Sequence, residues 1–326
     1  MYLVSILIPT FNQSEYIAQA VQSALDQDYP NLQIIVSDDA STDATEEIIR
    51  SFEKDPRLSI NINPANLGRT NNYRKCLFEL AKGKWVIVLD GDDYFCDSAY
   101  ISKAMKAASS EPGIDLVFAN ARRVRDDLNG LHVLRENENR NLPATIEGRD
   151  LFLSLASKKI TLFHNTCVYR REKAISLEFY RENIISSDWE SLHRYILTGR
   201  VAFIDETVAI WRIHGQNATK TTSVEERLRN LQSVMGPYQL AKSLQYISQD
   251  RINAWLNQRL KRVATKDLRS LLKCSGLAGY RQYVRQLHAI NPAVCQQIRR
   301  SPSLFFKRLK ARFNTTIRNS RHDCTG

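Results

Sequence analysis

The stretch 85-WVIVLDGDDYF-95 runs an apolar segment straight into Asp90, Gly91, Asp92 and Asp93. Its first half has the length and β-branched content of a strand buried on both faces. Its second half crowds three carboxylates around one glycine. Each raises the cost of ionising the others unless a cation or open water relieves the repulsion. The end of this strand therefore either holds something positive or is a solvated turn.

The preceding residues bear on that choice. The run 3-LVSILI-8 is closed by Pro9 and Thr10, and Asn12 with Glu15 has the spacing of a capping box. Ile17, Val21, Ala24 and Leu25 follow at helical spacing, then the strand 33-QIIVSDD-39 and a helix marked by Ile48, Ile49 and Phe52. The strand 58-LSINI-62 leads through 63-NPANLG-68 to a helix carrying Tyr73, Leu77 and Leu80. The order β-α-β-α-β-α-β with near-continuous apolar strands predicts a mostly parallel, Rossmann-like α/β sheet with helices on both faces. Such sheets bind ligands beyond the carboxyl ends of their strands. Those ends are 9-PTFN-12, 38-DDASTD-43 and 90-DGDD-93, so the acidic cluster falls where the architecture places its ligand.

Downstream, a helix after Ser98, the strand 114-IDLVFANARRV-124, an Asn129-Gly130 turn into 131-LHVLRE-136 and an exposed loop at 137–145 are expected. A helix over 148–157, a short strand near 165–170 and a helix from Ser187 follow. The segment 201-VAFIDETVAIWRIHG-215 reads as two short strands, and from about residue 224 the chain is helical. The expected boundary lies between a domain at 1–222 and a helical extension at 223–326. The net charge of +11 is uneven: 17 Lys+Arg against Asp267 and Asp323 give the segment from Arg251 onward +15, and leave −4 before it. No apolar run approaches the roughly 20 residues of a membrane helix, and the amino terminus reads as a first strand without a basic leader. Six cysteines without CxxC spacing suit a reducing cytoplasm.

Several chemistries compete for the motifs. In 38-DDASTD-43, Asp38 or Asp39 can bond a base N–H or a ribose hydroxyl, or the segment is a turn and helix cap. Carboxylates at 90-DGDD-93 are hard ligands suited to Mg²⁺ or Mn²⁺. A calcium EF-hand loop is excluded, because its twelfth position is Ile101. A haloacid-dehalogenase-type phosphatase would use Asp90 as nucleophile and Asp92 as acid, but that motif opens a first strand. Neither GxGxxG nor GxxxxGK[ST] is present, which removes support for dinucleotide oxidoreductases and P-loop enzymes.

Taken in order, 4-VSILIPTFNQSEYIAQAVQSALDQDYPNLQIIVSDDASTDAT-45, 66-NLG-68, 82-KGKWVIVLDGDDYF-95, 187-SDWESLHRYILTGRVAFID-205 and 211-WRIHGQN-217 resemble successive motifs of glycosyltransferase family 2. The resemblance covers roughly residues 3–220 and implies the nucleotide-sugar-binding GT-A fold. It implies that Pro9, Thr10 and Phe11 line the nucleotide pocket, with Asp38 or Asp39 reading the base and Asn66 and Gly91 beside the donor. Asp92, with Asp90 and Asp93, would hold Mn²⁺ or Mg²⁺ on the donor diphosphate. His214, with Arg212 behind it, would approach the metal or diphosphate, and Asp188 would be the general base. Two positions depart from the family pattern. Ser187 replaces the usual acid before the base, and Tyr73-Arg74 stand where an Arg-Asn pair is common, so the donor-contacting arginine is Arg69, Arg74 or absent. Ser187 and Glu190 also fit a capping box that would make Asp188 a first-turn helix acid.

The resemblance thus implies an inverting, metal-dependent glycosyltransferase that passes a sugar from a nucleotide-sugar donor, a UDP-sugar first among them, to a glycan or lipid-linked acceptor of a surface polysaccharide or lipopolysaccharide. A catalytically silent nucleotide-sugar-binding module is the alternative. No nucleic-acid-binding motif accompanies the basic tail. In 303-SLFFKRLKARF-313 the apolar Phe306, Leu309 and Phe313 share a helical face amid Lys307, Arg308, Lys310 and Arg312, which suits peripheral contact with the cytoplasmic face of a membrane or packing on the protein itself. Deleting residues 300–326 is expected to reduce flotation with anionic liposomes; equal flotation would end the membrane reading of this tail.

Overall fold

The computed structural model describes residues 1–127, 130–135, 139–157, 160–215 and 223–300. All seven residues of β1 (Val4–Thr10) are buried. A strand with no solvated face needs neighbours at both edges and cover on both faces, and the chain supplies them. β1 pairs in parallel with β2 (Leu32–Asp38) and with β4 (Trp85–Val88), and β2 pairs in parallel with β3 (Leu58–Ile62). The expected first half of the sheet is present.

The crossovers are α1 (Ile17–Leu25), α2 (Thr45–Arg50) and α3 (Arg69–Lys75), the last continuing into a π-helical segment over Cys76–Leu80. Ile17, Ala20, Val21 and Ala24 of α1 pack with Ile6, Ile8, Ile34, Val36 and Ile87 in the main core. The capping box expected from Asn12 and Glu15 does not form. α1 starts at Ile17 with no side-chain cap. Asn12 instead takes a left-handed conformation (φ 50°), which asparagine tolerates, and its Oδ1 accepts from Thr42 N at 2.8 Å. Its side chain ties the turn after β1 to the turn after β2.

The sheet continues through β9 (Val168–Arg170), antiparallel to β4 on one side and to β6 (Ile114–Asp127) on the other. β6 then pairs in parallel with β10 (Arg200–Ile213) and antiparallel with β7 (Gly130–Arg135). β5 (Tyr94–Phe95) and β8 (Thr145–Glu147) lie antiparallel to β10. The two short strands expected over 201–215 are one strand with register shifts around Ile204–Ala209. The polar Asp205, Glu206 and Thr207 look like a turn but occupy a bulge. The loop expected to be exposed at 137–145 has a buried anchor: Asn139 is 1% exposed and exchanges bonds with Thr161 and Asn120. Helices α4 (Tyr100–Ala108), α5 (Gly148–Ser157), α6 (Arg171–Ser176) and α7 (Ser187–Tyr195) complete this part.

The chain divides into two compact units, Met1–Lys220 and Thr221–Gly326. The described part of the second is helical: α8 (Val224–Arg229), α9 (Gln232–Leu244), α10 (Gln249–Cys274), α11 (Gly276–Ile290) and α12 (Pro292–Arg299). Asp267 of α10 is buried between Arg227 (3.2 Å) and the Tyr283 hydroxyl (2.9 Å). No described helix is long and apolar enough to cross a membrane. The amphipathic segment at 303–313 and the last two residues, 216 and 217, of 211-WRIHGQN-217 lie outside the described residues. Ile87 is fully buried in β4 between β1 and β9, so Ile87→Ala is expected to cost about 2–5 kcal/mol, read from the urea-unfolding midpoint.

Candidate active site at the carboxyl end of the sheet

Parallel pairing sets the carboxyl ends of the first strands side by side. Asp39 N donates to Thr10 O (2.9 Å), Gly91 N to Pro9 O (3.3 Å) and Asn63 N to Asp38 O (2.9 Å). A side chain at Gly91 would require Gln13 and Thr10 to shift. A Cβ there would lie 2.3 Å from Gln13 Oε1 and 2.8 Å from Thr10 Oγ1. The acidic turn thus presses against the end of β1, where Pro9 and Thr10 are buried and Phe11 is exposed.

Asp38 and Asp39 are largely occupied within the chain. Asp38 accepts from the Ser41 hydroxyl and from Ser41 N (3.0 Å). Asp39 accepts from Asn63 Nδ2 (2.9 Å), Leu67 N (2.8 Å) and Gly68 N (2.9 Å), which fixes the 63-NPANLG-68 turn. Asn66 donates to Asp39 O (3.1 Å) and accepts from Gly68 N (3.0 Å). A carboxylate has about four acceptor positions, so Asp39 braces this turn before it can meet any ligand.

The cluster at 90–93 holds three carboxylates, each with an oxygen within 4.8 Å of the others. Each also has a partner in the chain. Tyr73 donates its hydroxyl to Asp90 Oδ1. Asp92 Oδ2 lies 2.8 Å from His214 Nε2. Asp93, 3% exposed, accepts from Arg212 N and from Asn165 Nδ2, both at 2.9 Å. Arg212 stands behind the turn, donating from Nη1 to Asp92 O (2.9 Å) and lying over the rings of Tyr16 and Tyr94. Burial pushes the Asp93 carboxyl well above the usual range, and repulsion from Asp92 and Asp90 adds to it. Burial also raises Asp90, where the His164 charge pulls the other way and Asp92 pushes with it. Hard oxygen donors kept this close, at a cost in ionisation, fit a divalent cation.

Asp188 lies in the first turn of α7. The capping box expected from Ser187 and Glu190 is absent. The Ser187 hydroxyl is buried without a partner, and Glu190 is bound by Arg194 at 2.6 and 2.9 Å. Arg194 also donates to the carbonyls of Leu177 and Glu178, locking that segment onto α7. Asp188 shares an electrostatic neighbourhood with the acidic cluster. Against desolvation, Tyr73, Asp188 and Asp90 hold the Arg69 guanidinium above arginine's usual pKa. Arg69 donates to the carbonyls of Ile184 and Ile185, just before α7. Arg74 is directed elsewhere, to Phe179 O (2.8 Å) and the Phe78 ring. His164, Asn165 and Tyr180, which no sequence motif marks, complete the surroundings; His164 Nε2 and Tyr180 Oη are 2.8 Å apart, and both rings lie against Tyr73.

A family model described as Glycosyl transferase family 2 matches residues 5–177, just over half of the chain. The chain belongs to glycosyl transferase family 2. The match includes the acidic cluster and ends before Asp188, Arg212 and His214, so the placement of those three rests on the geometry above. An uncharacterised protein of Mycobacterium tuberculosis is 28% identical over 228 residues, 69% of this chain and 62% of that protein. WfaP of Escherichia coli, named as a UDP-Glc:alpha-D-GlcNAc-diphosphoundecaprenol beta-1,3-glucosyltransferase, is 42% identical over 95 residues, 29% of this chain and 37% of WfaP. The chain therefore spans less than two thirds of the length of either relative. Among solved structures, the mannosyltransferase PcManGT of Pyrobaculum calidifontis, in complex with GDP-Man and Mn²⁺, superposes with a TM-score of 0.54 at 18% identity, covering 96% of this chain and 86% of that one. The architecture is the GT-A fold, and a family-2 chain with this topology does not use Asp90 as the phosphatase alternative required.

Tyr73→Phe removes a buried donor from Asp90. The loss expected is about 1–3 kcal/mol of stability, measured by urea unfolding; an unchanged midpoint would show that the hydroxyl is dispensable.

Proposed function

We propose that this family-2 protein is an inverting, divalent-metal-dependent glycosyltransferase that passes a sugar from a UDP-sugar to a lipid-linked or glycan acceptor of a cell-surface polymer. The observation that carries the reading is the close grouping of Asp90, Asp92 and Asp93, with Asp90 and Asp188 both acting electrostatically on Tyr73 and Arg69. The activity for which WfaP is named supports a UDP-sugar and a lipid diphosphate acceptor, and the Mn²⁺ of PcManGT supports a divalent metal.

Asp90, Asp92 and Asp93 would hold Mn²⁺ or Mg²⁺, with His214 at Asp92, and the ion would supply Lewis-acid stabilisation of the departing diphosphate. Tyr73, Asn165 and the Arg212 backbone keep these carboxylates in place through the bonds described above. Pro9, Thr10 and Phe11, with the turn braced by Asp39, form the wall against which the nucleotide sits. Arg69 brings positive charge to the neighbourhood of Asp90 and Asp188. Asp188 accepts the proton of the attacking acceptor hydroxyl as that oxygen bonds to the anomeric carbon. One base and one displacement invert the anomeric centre, as in inverting glycosidases.

Asp188→Asn is expected to keep donor-dependent thermal stabilisation and to lose transfer by at least about a hundredfold. Asp92→Ala is expected to lose the Mn²⁺-dependent thermal shift with a UDP-sugar. Wild-type turnover by Asp188→Asn would remove the base assignment. Donor binding by the unaltered protein without transfer to any lipid-diphosphate sugar would favour the silent-module reading.

A further inference from the structure

We propose that the outer face of α10, in the helical unit, is a docking surface for an anionic lipid bilayer. Residues 223–300 contain 14 Lys+Arg against four acids. α10 buries Ile252, Trp255, Leu256, Leu260, Leu268 and Leu271. Arg251, Arg262, Lys266, Arg269 and Lys273 are all exposed. At 3.6 residues per turn they fall within about 60° of one another around the helix and extend over about 33 Å. Of the two acids on α10, Asp250 lies in the first turn, and Asp267 is buried against Arg227 and Tyr283. On α11, Arg281 and Arg285 add two exposed cations one turn apart.

An ordinary solvated helix face alternates sign, because pairs four residues apart stabilise it and like charges do the reverse. This face carries one sign from Arg251 to Lys273. Its field reaches inward: burial, and then the charge of Arg262, push the pKa of Arg259 down to about 10. A single-stranded nucleic acid would be met by aromatic platforms between the cations, but Trp255, Tyr280 and Tyr283 point into the core. A row of point charges with no exposed aromatic between Arg251 and Lys273, where Trp255 on the same arc is buried, matches a planar sheet of lipid phosphates. The lipid-linked acceptor proposed above would benefit, although the inference rests on the charge pattern and not on that reading.

The test uses the full-length protein, with residues 301–326 kept in every variant, and vesicles of phosphatidylcholine with or without phosphatidylglycerol, free of donor and acceptor. Binding is expected only to the anionic vesicles and is lost in high salt, where screening shortens the reach of each charge. At about fivefold per cation, the combined variant Arg251→Gln, Lys266→Gln and Lys273→Gln should weaken partitioning about a hundredfold. The control variant Lys54→Gln, Lys82→Gln and Lys106→Gln removes three exposed cations from the other unit and should leave partitioning nearly unchanged. Circular dichroism confirms that both fold. Wild-type partitioning by the α10 variant, equal loss by both variants, or no vesicle binding by the unaltered protein would overturn the proposal. So would capture of poly-U RNA through α10 without vesicle binding. Vesicle binding by a protein that transfers no sugar would leave this proposal standing and sink the transferase reading.

Discussion

Everything at the candidate site depends on the parallel register of β1 with its two neighbours. Ile8 opposite Val36, Thr10 opposite Asp38 and Leu7 opposite Val88 bring three strand ends flush. Backbone bonds from Asp39 to Thr10 and from Gly91 to Pro9 carry that alignment one residue past the strands. A slip by one residue would turn every apolar side chain of β1 to the other face. It would also separate the acidic turn from Thr10. The core that forbids the slip is therefore what gathers polar groups at one rim.

Gathering them creates an electrostatic problem that the surrounding residues solve in part. Three carboxylates are packed close enough for burial and mutual repulsion to raise the pKa of Asp90 and Asp93. Donors reach them from distant parts of the chain: Tyr73 from α3, Asn165 from the turn before β9, and Arg212 and His214 from the end of β10. These bonds hold direction without neutralising charge, apart from the guanidinium behind Asp92. The result is a fixed group of carboxylates of the kind that could hold a cation. Asp188 lies outside this set, at a helix terminus tied to the same region through Arg69 and through the Glu190–Arg194 pair.

The first four strands were legible because apolar runs and their turn residues are local signals, and the acidic rim followed from their order alone. Both expected capping boxes failed for one reason. In each, one of the two side chains had a stronger partner elsewhere: Asn12 in the turn at Thr42, and Glu190 in Arg194. The bulge in β10 was misread because polar residues in an unbroken strand mimic a turn. His164 and Asn165 could not be found from sequence. Their contacts with Tyr180 and Asp93 span 16 and 72 residues, and no spacing rule encodes such pairs. Asp38 and Asp39 were correctly seen as polar groups at the rim, but periodicity could not show that backbone amides of the chain already occupy them.

The antiparallel strand β9 has a consequence for how the protein is made. Residues 1–88 contain β1 to β4, so that half of the sheet can assemble as it leaves the ribosome. The outer edge of β4, however, waits for Val168–Arg170. At about 5–20 residues per second the intervening segment takes about 4–16 s to synthesise. Throughout that interval a nascent chain would display an unpaired apolar strand edge, the feature most prone to pairing with another molecule. Slower translation through this region would lengthen that exposure, and a holdase that covers the edge would shorten its reach.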